Sequence, residues 1–142
     1  MEDVARQNVY DDESFFMLYQ AMREAQTGIN EAVEQPALRG MLPRVTGAAV
    51  IDLGCGDGQL SRDLVVLGAA SVLGIDPSER MLALAQRRTT DHRVRYLRAF
   101  AEDAWLPEAS ADLVVSSLAL HYVADFDGVM VRIAEWLRQG AG

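Results

Sequence analysis

The sequence predicts an α/β fold, a doubly wound and mostly parallel sheet with helices on both faces. Three observations predict it. Short apolar, β-branched segments alternate with segments of helical period from Ala48 onward; a turn of alternating glycines joins the first of these strands to the helix after it; and an acid closes the second strand. A chain of 142 residues, 50% of them apolar, buries one sizeable core and is too short for two ordinary domains. One domain is expected over 1–142, with residues 1–44 as a helical region preceding the core and 45–142 as the α/β core. No internal repeat, low-complexity tract or Pro/Gly/Ser-rich linker invites a division.

The elements follow from periodicity. Between Asp12 and Gln26, the apolar residues Phe15, Phe16, Leu18, Tyr19 and Met22 make one face of an amphipathic helix, opened by acids that suit its N-terminal dipole. A weaker helix is expected over Asn30 to Met41, with a start or kink at Pro36 and a stop at Pro43. Ala48 to Leu53 reads as a buried strand, Leu60 to Leu67 as a helix and Ser71 to Ile75 as a second strand. Glu79 to Arg88 reads as a helix capped by Ser78. Val94 to Leu97 and Leu113 to Ser117 are the third and fourth strands, and Phe126 to Arg138 is a helix whose Val129, Met130, Ile133, Trp136 and Leu137 share a face.

Composition excludes several function classes. A net charge of −8 opposes binding to nucleic acid or to anionic lipid. All 13 basic residues are arginine, which removes phosphate-loop, Schiff-base and general-base lysines together. With Cys55 the single cysteine, neither an internal disulfide nor an all-cysteine zinc site is possible, and no metal is expected. The start of the chain is polar and acidic, and no apolar run approaches the span of a bilayer, so neither a signal peptide nor an anchor is expected and the location is read as cytoplasmic.

The chemistry lies in Asp52-Leu53-Gly54-Cys55-Gly56-Asp57-Gly58. Alternating glycines expose bare backbone to a ligand, and the next helix presents its free N–H groups there. Gly74-Ile75-Asp76 then ends the second strand about twenty residues on, where a carboxylate can accept both hydrogen bonds of a ribose diol. Together they specify a nucleoside. A dinucleotide fold needs its third glycine where Gln59 stands, and Asp52 suits an ammonium-bearing ligand better than a pyrophosphate.

At this point the sequence resembles the class I S-adenosylmethionine-dependent methyltransferases of the small-molecule type, whose first motif Asp52, Gly54, Gly56 and Gly58 match without a gap. The resemblance extends through Ala101-Glu102-Asp103 and through Asp112-Leu113-Val114-Val115-Ser116-Ser117-Leu118-Ala119-Leu120-His121-Tyr122. It implies a Rossmann-like methyltransferase fold with S-adenosylmethionine as cofactor and S-adenosylhomocysteine as product. The cofactor-binding residues it implies are Asp52, Gly54, Cys55, Gly56, Gly58, Asp76, Pro77, Met81, Ala101, Glu102 and Ser117. The glycine turn would face the methionine part, Asp76 the ribose hydroxyls, and Ala101 with Glu102 the adenine edge.

Bland readings stand beside these. Asp76 could be a strand-end turn residue, Glu102 and Asp103 could merely solvate a loop, and Cys55 could be a small filler between glycines. His121 and Tyr122 follow the fourth strand and could orient or deprotonate an acceptor, or could be structural. The segment Glu13 to Met22 resembles the family's lid, and it could equally pack a core. Methyl transfer is an in-line displacement from an already activated donor, so the protein chiefly positions a small-molecule acceptor and excludes water, and a general base is needed only for a hydroxyl or protonated amine.

The chain departs from the family in stopping at Gly142, before a fifth strand and final hairpin. That leaves the fourth strand a hydrophobic edge, for which a second copy or a partner chain is the expected cover; an incomplete fragment is the other reading. A non-catalytic cofactor-binding module and a nicotinamide-dependent oxidoreductase are the competing functions, the latter disfavoured by Gln59.

Overall fold

A computed structural model describes residues 15–17, 43–116 and 125–138. Its elements in chain order are β1 (Phe15–Met17), β2 (Ala49–Leu53), α1 (Gln59–Val66), β3 (Ser71–Asp76), α2 (Glu79–Arg88), β4 (Val94–Arg98), β5 (Leu113–Ser116) and α3 (Phe126–Trp136). The strands form one sheet in the order β1-β5-β2-β3-β4, and every pairing in it is parallel.

Side-chain alternation along the strands divides the core into two layers. Ile51, Leu53, Ile75 and Val114 point to the face that packs Val129, Met130, Ile133 and Trp136 of α3. Val50, Val72, Val94, Leu113 and Val115 point to the opposite face, against Leu60, Leu64 and Val65 of α1. Helices therefore cover both faces, as expected of a doubly wound sheet. Trp136, 2% exposed, is the largest side chain sealed into the α3 layer.

The helix ends carry their own chemistry. Ser78 caps α2, its side chain accepting from the Met81 N–H, and Asp125 caps α3 by accepting from the Gly128 N–H at 3.0 Å. Arg132 of α3 donates to the Glu102 carbonyl and so ties that helix to the loop after β4. Beyond α3, Leu137 runs parallel to Ala111 in an isolated bridge.

Strand and helix bounds agree with the periodic reading to within one or two residues from Ala49 onward. The start of the chain does not. Phe15–Met17, expected inside an amphipathic helix, is a strand paired with Val114 to Ser116 of β5. Edge N–H and C=O groups require partners, and a three-residue stretch of weak helical preference is overridden by that tertiary demand. The same pairing corrects a second expectation: β5 is flanked by β2 and β1, so its edge is filled by this chain and needs no second copy. Residues 43–45 are helical. The helix expected over Asn30 to Met41 lies outside the described residues, and with it the stop expected at Pro43.

A candidate cofactor site at the carboxyl ends of β2 and β3

Strand order reverses at β2: the chain passes to β3 and β4 on one side and later returns to β5 on the other. Ligands of open α/β sheets bind outside the carboxyl ends of strands at such a reversal. The glycine turn follows β2 there. Gly54, Gly56 and Gly58 have φ of +81°, +56° and +84°, a left-handed region that side chains disfavour, which is why this turn needs glycine at alternate places.

The turn is fastened to the neighbouring strand by backbone and side chain. The N–H groups of Gly54 and Cys55 both donate to the Ile75 carbonyl, at 2.8 and 3.1 Å. One step further, the Gly56 N–H donates to Oδ2 of Asp76 at 2.9 Å, and the Ser78 N–H donates to Oδ1 at 2.9 Å. Glycine turn and strand-end acid, twenty positions apart in sequence, are thus one hydrogen-bonded unit. A carboxylate offers about four lone-pair directions. With one N–H on each oxygen and the residue only half-buried, Asp76 keeps acceptor capacity toward the crevice.

Other expected residues lie around this unit. Asp52 is fully buried on the α1 face, where its Oδ2 accepts from the Ser61 hydroxyl at 2.6 Å. Cys55 is sealed between the turn and β3, which suits a filler better than a reactive thiol. The Pro77 carbonyl accepts from Arg98 Nε at 3.2 Å, and Met81 is exposed in the first turn of α2. Ala101 is buried in the α3 layer, Glu102 is half-buried and Asp103 exposed. The Ala99 N–H donates to the Asp76 carbonyl at 3.2 Å, which brings the start of this loop, and exposed Phe100, beside the acid. Ser117, His121 and Tyr122 lie outside the described residues.

The sequence reading missed what lies behind the turn. Tyr96 on β4, Thr89 after α2 and Arg62 on α1 converge on Asp57 and Gly58: Arg62 Nη1 donates to the Asp57 carbonyl at 2.8 Å, and Tyr96 Oη lies 2.7 Å from Thr89 Oγ1. Burial pushes the Tyr96 phenol up from its ordinary value, outweighing the Thr89 hydrogen bond and the Arg62 charge, so it stays protonated. Arg88 reaches the Asp57 carboxylate at 3.1 Å. The one signal available was the period-two pattern that places Tyr96 on the same face as Val94.

A crystal structure of an S-adenosylmethionine-dependent methyltransferase from Mesorhizobium loti superposes with a TM-score of 0.70 at 45% identity, covering 78% of this chain and 51% of that one. A family model described as a methyltransferase domain matches residues 50–140. This chain belongs to the S-adenosylmethionine-dependent methyltransferases. S-adenosylmethionine is accordingly its cofactor, and the side-chain-free glycine turn beside half-open Asp76 fits a nucleoside with an amino-acid tail. An uncharacterized Haemophilus influenzae protein is 35% identical over 136 residues, 92% of this chain and 54% of that protein. Trans-aconitate 2-methyltransferase of Mycolicibacterium gilvum is 37% identical over 93 residues, 65% of this chain and 34% of that enzyme. A Haemonchus contortus phosphoethanolamine N-methyltransferase, solved with S-adenosylhomocysteine, superposes at a TM-score of 0.62 and 31% identity, with 66% of this chain and 23% of that one covered. The chain therefore spans about half the length, or less, of the relatives it matches.

Proposed function

We propose that this methyltransferase chain supplies the donor-binding half of a methyl transfer to a small-molecule acceptor, in the cytoplasm and without nucleic acid or membrane as partner. The observation that carries the reading is the Asp76 carboxylate, bonded to the Gly56 N–H at 2.9 Å while half-open to the crevice. Asp76 accepts the two ribose hydroxyls; the backbone of Gly54 and Gly56 lies against the methionine part; and the loop from Ala99 to Glu102, with Pro77 and Met81 on its near side, borders the adenine. Asp52 acts from inside the fold, its buried carboxylate holding α1 through Ser61 rather than meeting solvent. When bound, the sulfonium donor supplies an activated methyl group, and the protein's task is to orient it and keep water out. Ser117 on the cofactor side, and His121 and Tyr122 on the acceptor side, are the residues after β5 assigned to complete the crevice. The strong negative charge supports a neutral or cationic acceptor over a polyanion.

Calorimetry with S-adenosylhomocysteine on the whole chain tests the reading. Binding is expected, and Asp76→Asn should weaken it by about 1.5–3 kcal/mol, the range for hydrogen bonds to a charged group, or roughly 10- to 150-fold. A folded chain with no affinity for this compound overturns the assignment. A screen with methyl-labelled donor over amines, hydroxyls and carboxylates then reports whether this chain transfers as well as binds.

A further inference from the structure

The second glycine of the motif, Gly56, bonds Asp76; the third, Gly58, turns to the protein's own interior. Gly58 begins α1 with φ +84°, and a Cβ there would overlap the Tyr96 hydroxyl oxygen and lie 2.9 Å from Arg62 Nη1. At the other end of the same ring, a Cβ on Gly74 would lie 2.8 Å from Tyr96 Cδ1. The tyrosine ring thus spans from the middle of β3 to the back of the turn and fills the space that a side chain at Gly58 or Gly74 would need.

Its hydroxyl is oriented. The single proton of Thr89 Oγ1 goes to the Ala85 carbonyl at 2.6 Å, so across the 2.7 Å contact Tyr96 is the donor and Thr89 the acceptor. The same Thr89 oxygen accepts from Arg62 Nη1 at 3.4 Å, and that nitrogen also holds the Asp57 carbonyl at 2.8 Å. Three elements, α1, the end of α2 and β4, therefore meet through Arg62, Thr89 and Tyr96 on the protein side of residues 57 and 58. The Gly58 N–H in turn closes onto the Cys55 carbonyl at 3.0 Å, the residue between Gly54 and Gly56.

We propose that Tyr96, braced by Thr89 and Arg62, is a positioning residue for the cofactor: it sets the glycine turn from behind, so that Gly54 and Gly56 present their backbone at the height of Asp76. The inference rests on the donor-binding reading above. Gly58 on this account makes room for the protein's own tyrosine.

The test is S-adenosylhomocysteine affinity of the full chain for Tyr96→Phe, Thr89→Val, the double variant and Thr89→Ser, beside thermal unfolding and amide exchange over residues 56–59. Tyr96→Phe and Thr89→Val should each weaken binding about fivefold and speed exchange at the Gly58 amide. The double variant should be little worse than Thr89→Val alone, because that change already removes the bond between the two hydroxyls. Thr89→Ser, which keeps the hydroxyl, should restore wild-type affinity. Ile133→Val, which trims the α3 layer on the opposite face, should lower the unfolding temperature and leave affinity unchanged; this separates positioning from general stability. If wild-type protein binds and both single variants bind equally well, or if affinity tracks unfolding temperature through Ile133→Val, the positioning role is refuted while the donor-binding reading stands. If wild-type protein itself fails to bind, both fall.

Discussion

Asp112 is the residue through which the segment after α3 holds β2, and removing its carboxylate should cost a calculable amount. Its Oδ2 accepts the Ala49 N–H at 2.9 Å while its own N–H donates to the Ala49 carbonyl at 2.8 Å; its Oδ1 takes Arg138 at 2.8 Å. Asp112→Ala strands a partly buried N–H that had a charged acceptor, about 1.5 kcal/mol at the low end of the range for such bonds. The Arg138 ion pair is 48% and 28% exposed on its two sides and adds no more than about 0.5 kcal/mol after screening. The sum of about 2 kcal/mol corresponds to a fall in unfolding temperature of roughly 6–10 °C for a domain of this size. Asp112→Asn keeps an acceptor for Ala49 and should lose less than half as much.

The pH dependence of that residue has a definite sign. Burial pushes the Asp112 carboxyl up, but the Ala49 N–H and the Arg138 guanidinium outweigh it and leave the folded value below the ordinary one. Its stabilisation is therefore fully present above the unfolded value near 3.9 and is lost as pH falls through the lower folded value. Urea unfolding followed by circular dichroism at pH 7 and at about pH 3 measures both effects. The wild-type advantage over Asp112→Asn should shrink at the acid end. An Asp112→Ala chain as stable as wild type at pH 7, or an Asn variant as damaged as the Ala one, refutes the reasoning.

Two further outcomes follow from buried contacts. Gly74→Ala should destabilise by about 1–2 kcal/mol, because the new Cβ meets Tyr96 Cδ1 at 2.8 Å and Cys55 Sγ at 2.9 Å, and Cys55→Ala should relieve part of that loss in the double variant; thermal melts of the four proteins decide it, and additive losses count against it. Asp63, buried on α1, has its carboxyl raised by desolvation despite the Gln59 hydrogen bond and the Arg62 charge. A raised acid is stabilising only in its protonated form below the unfolded value and that contribution disappears as pH rises, so Asp63→Asn should be the more stable protein at pH 7 by up to about 1 kcal/mol and lose its lead below about pH 4. Denaturant curves at the two pH values would contradict this if the Asn variant were weaker at pH 7.

The site was legible in the residues to the extent that local backbone rules dictate it. Glycines at alternate places require left-handed turns, and an acid after a strand twenty positions on can only lie at the neighbouring carboxyl end in a parallel sheet, so Gly56 and Asp76 were paired before their contact was visible. Asp52 was recognisable as part of the motif, but its burial against Ser61 depends on which face of β2 meets α1, and apolar residues on both faces of that strand hide the direction. Tyr96 escaped notice because its meaning comes from Gly58 and Gly74, each remote in sequence, whose missing side chains it replaces. Phe15–Met17 was misread because three apolar residues satisfy a helical period as easily as a strand, and only the open side of β5 decides between them. The residues after β5 were named from resemblance to the family, and Ser117, His121 and Tyr122 carry that expectation into the binding and turnover experiments.

The placement of β1 also shapes how the chain reaches its native form. Phe15 pairs with Val114, and closing a loop of roughly a hundred residues carries an entropic cost that local pairings avoid. The three strands β2, β3 and β4 can assemble from near neighbours, whereas β5 must dock before β1 has anything to grip. β1 would thus stay unmatched until β5 has docked on β2, which makes its pairing a late step in refolding.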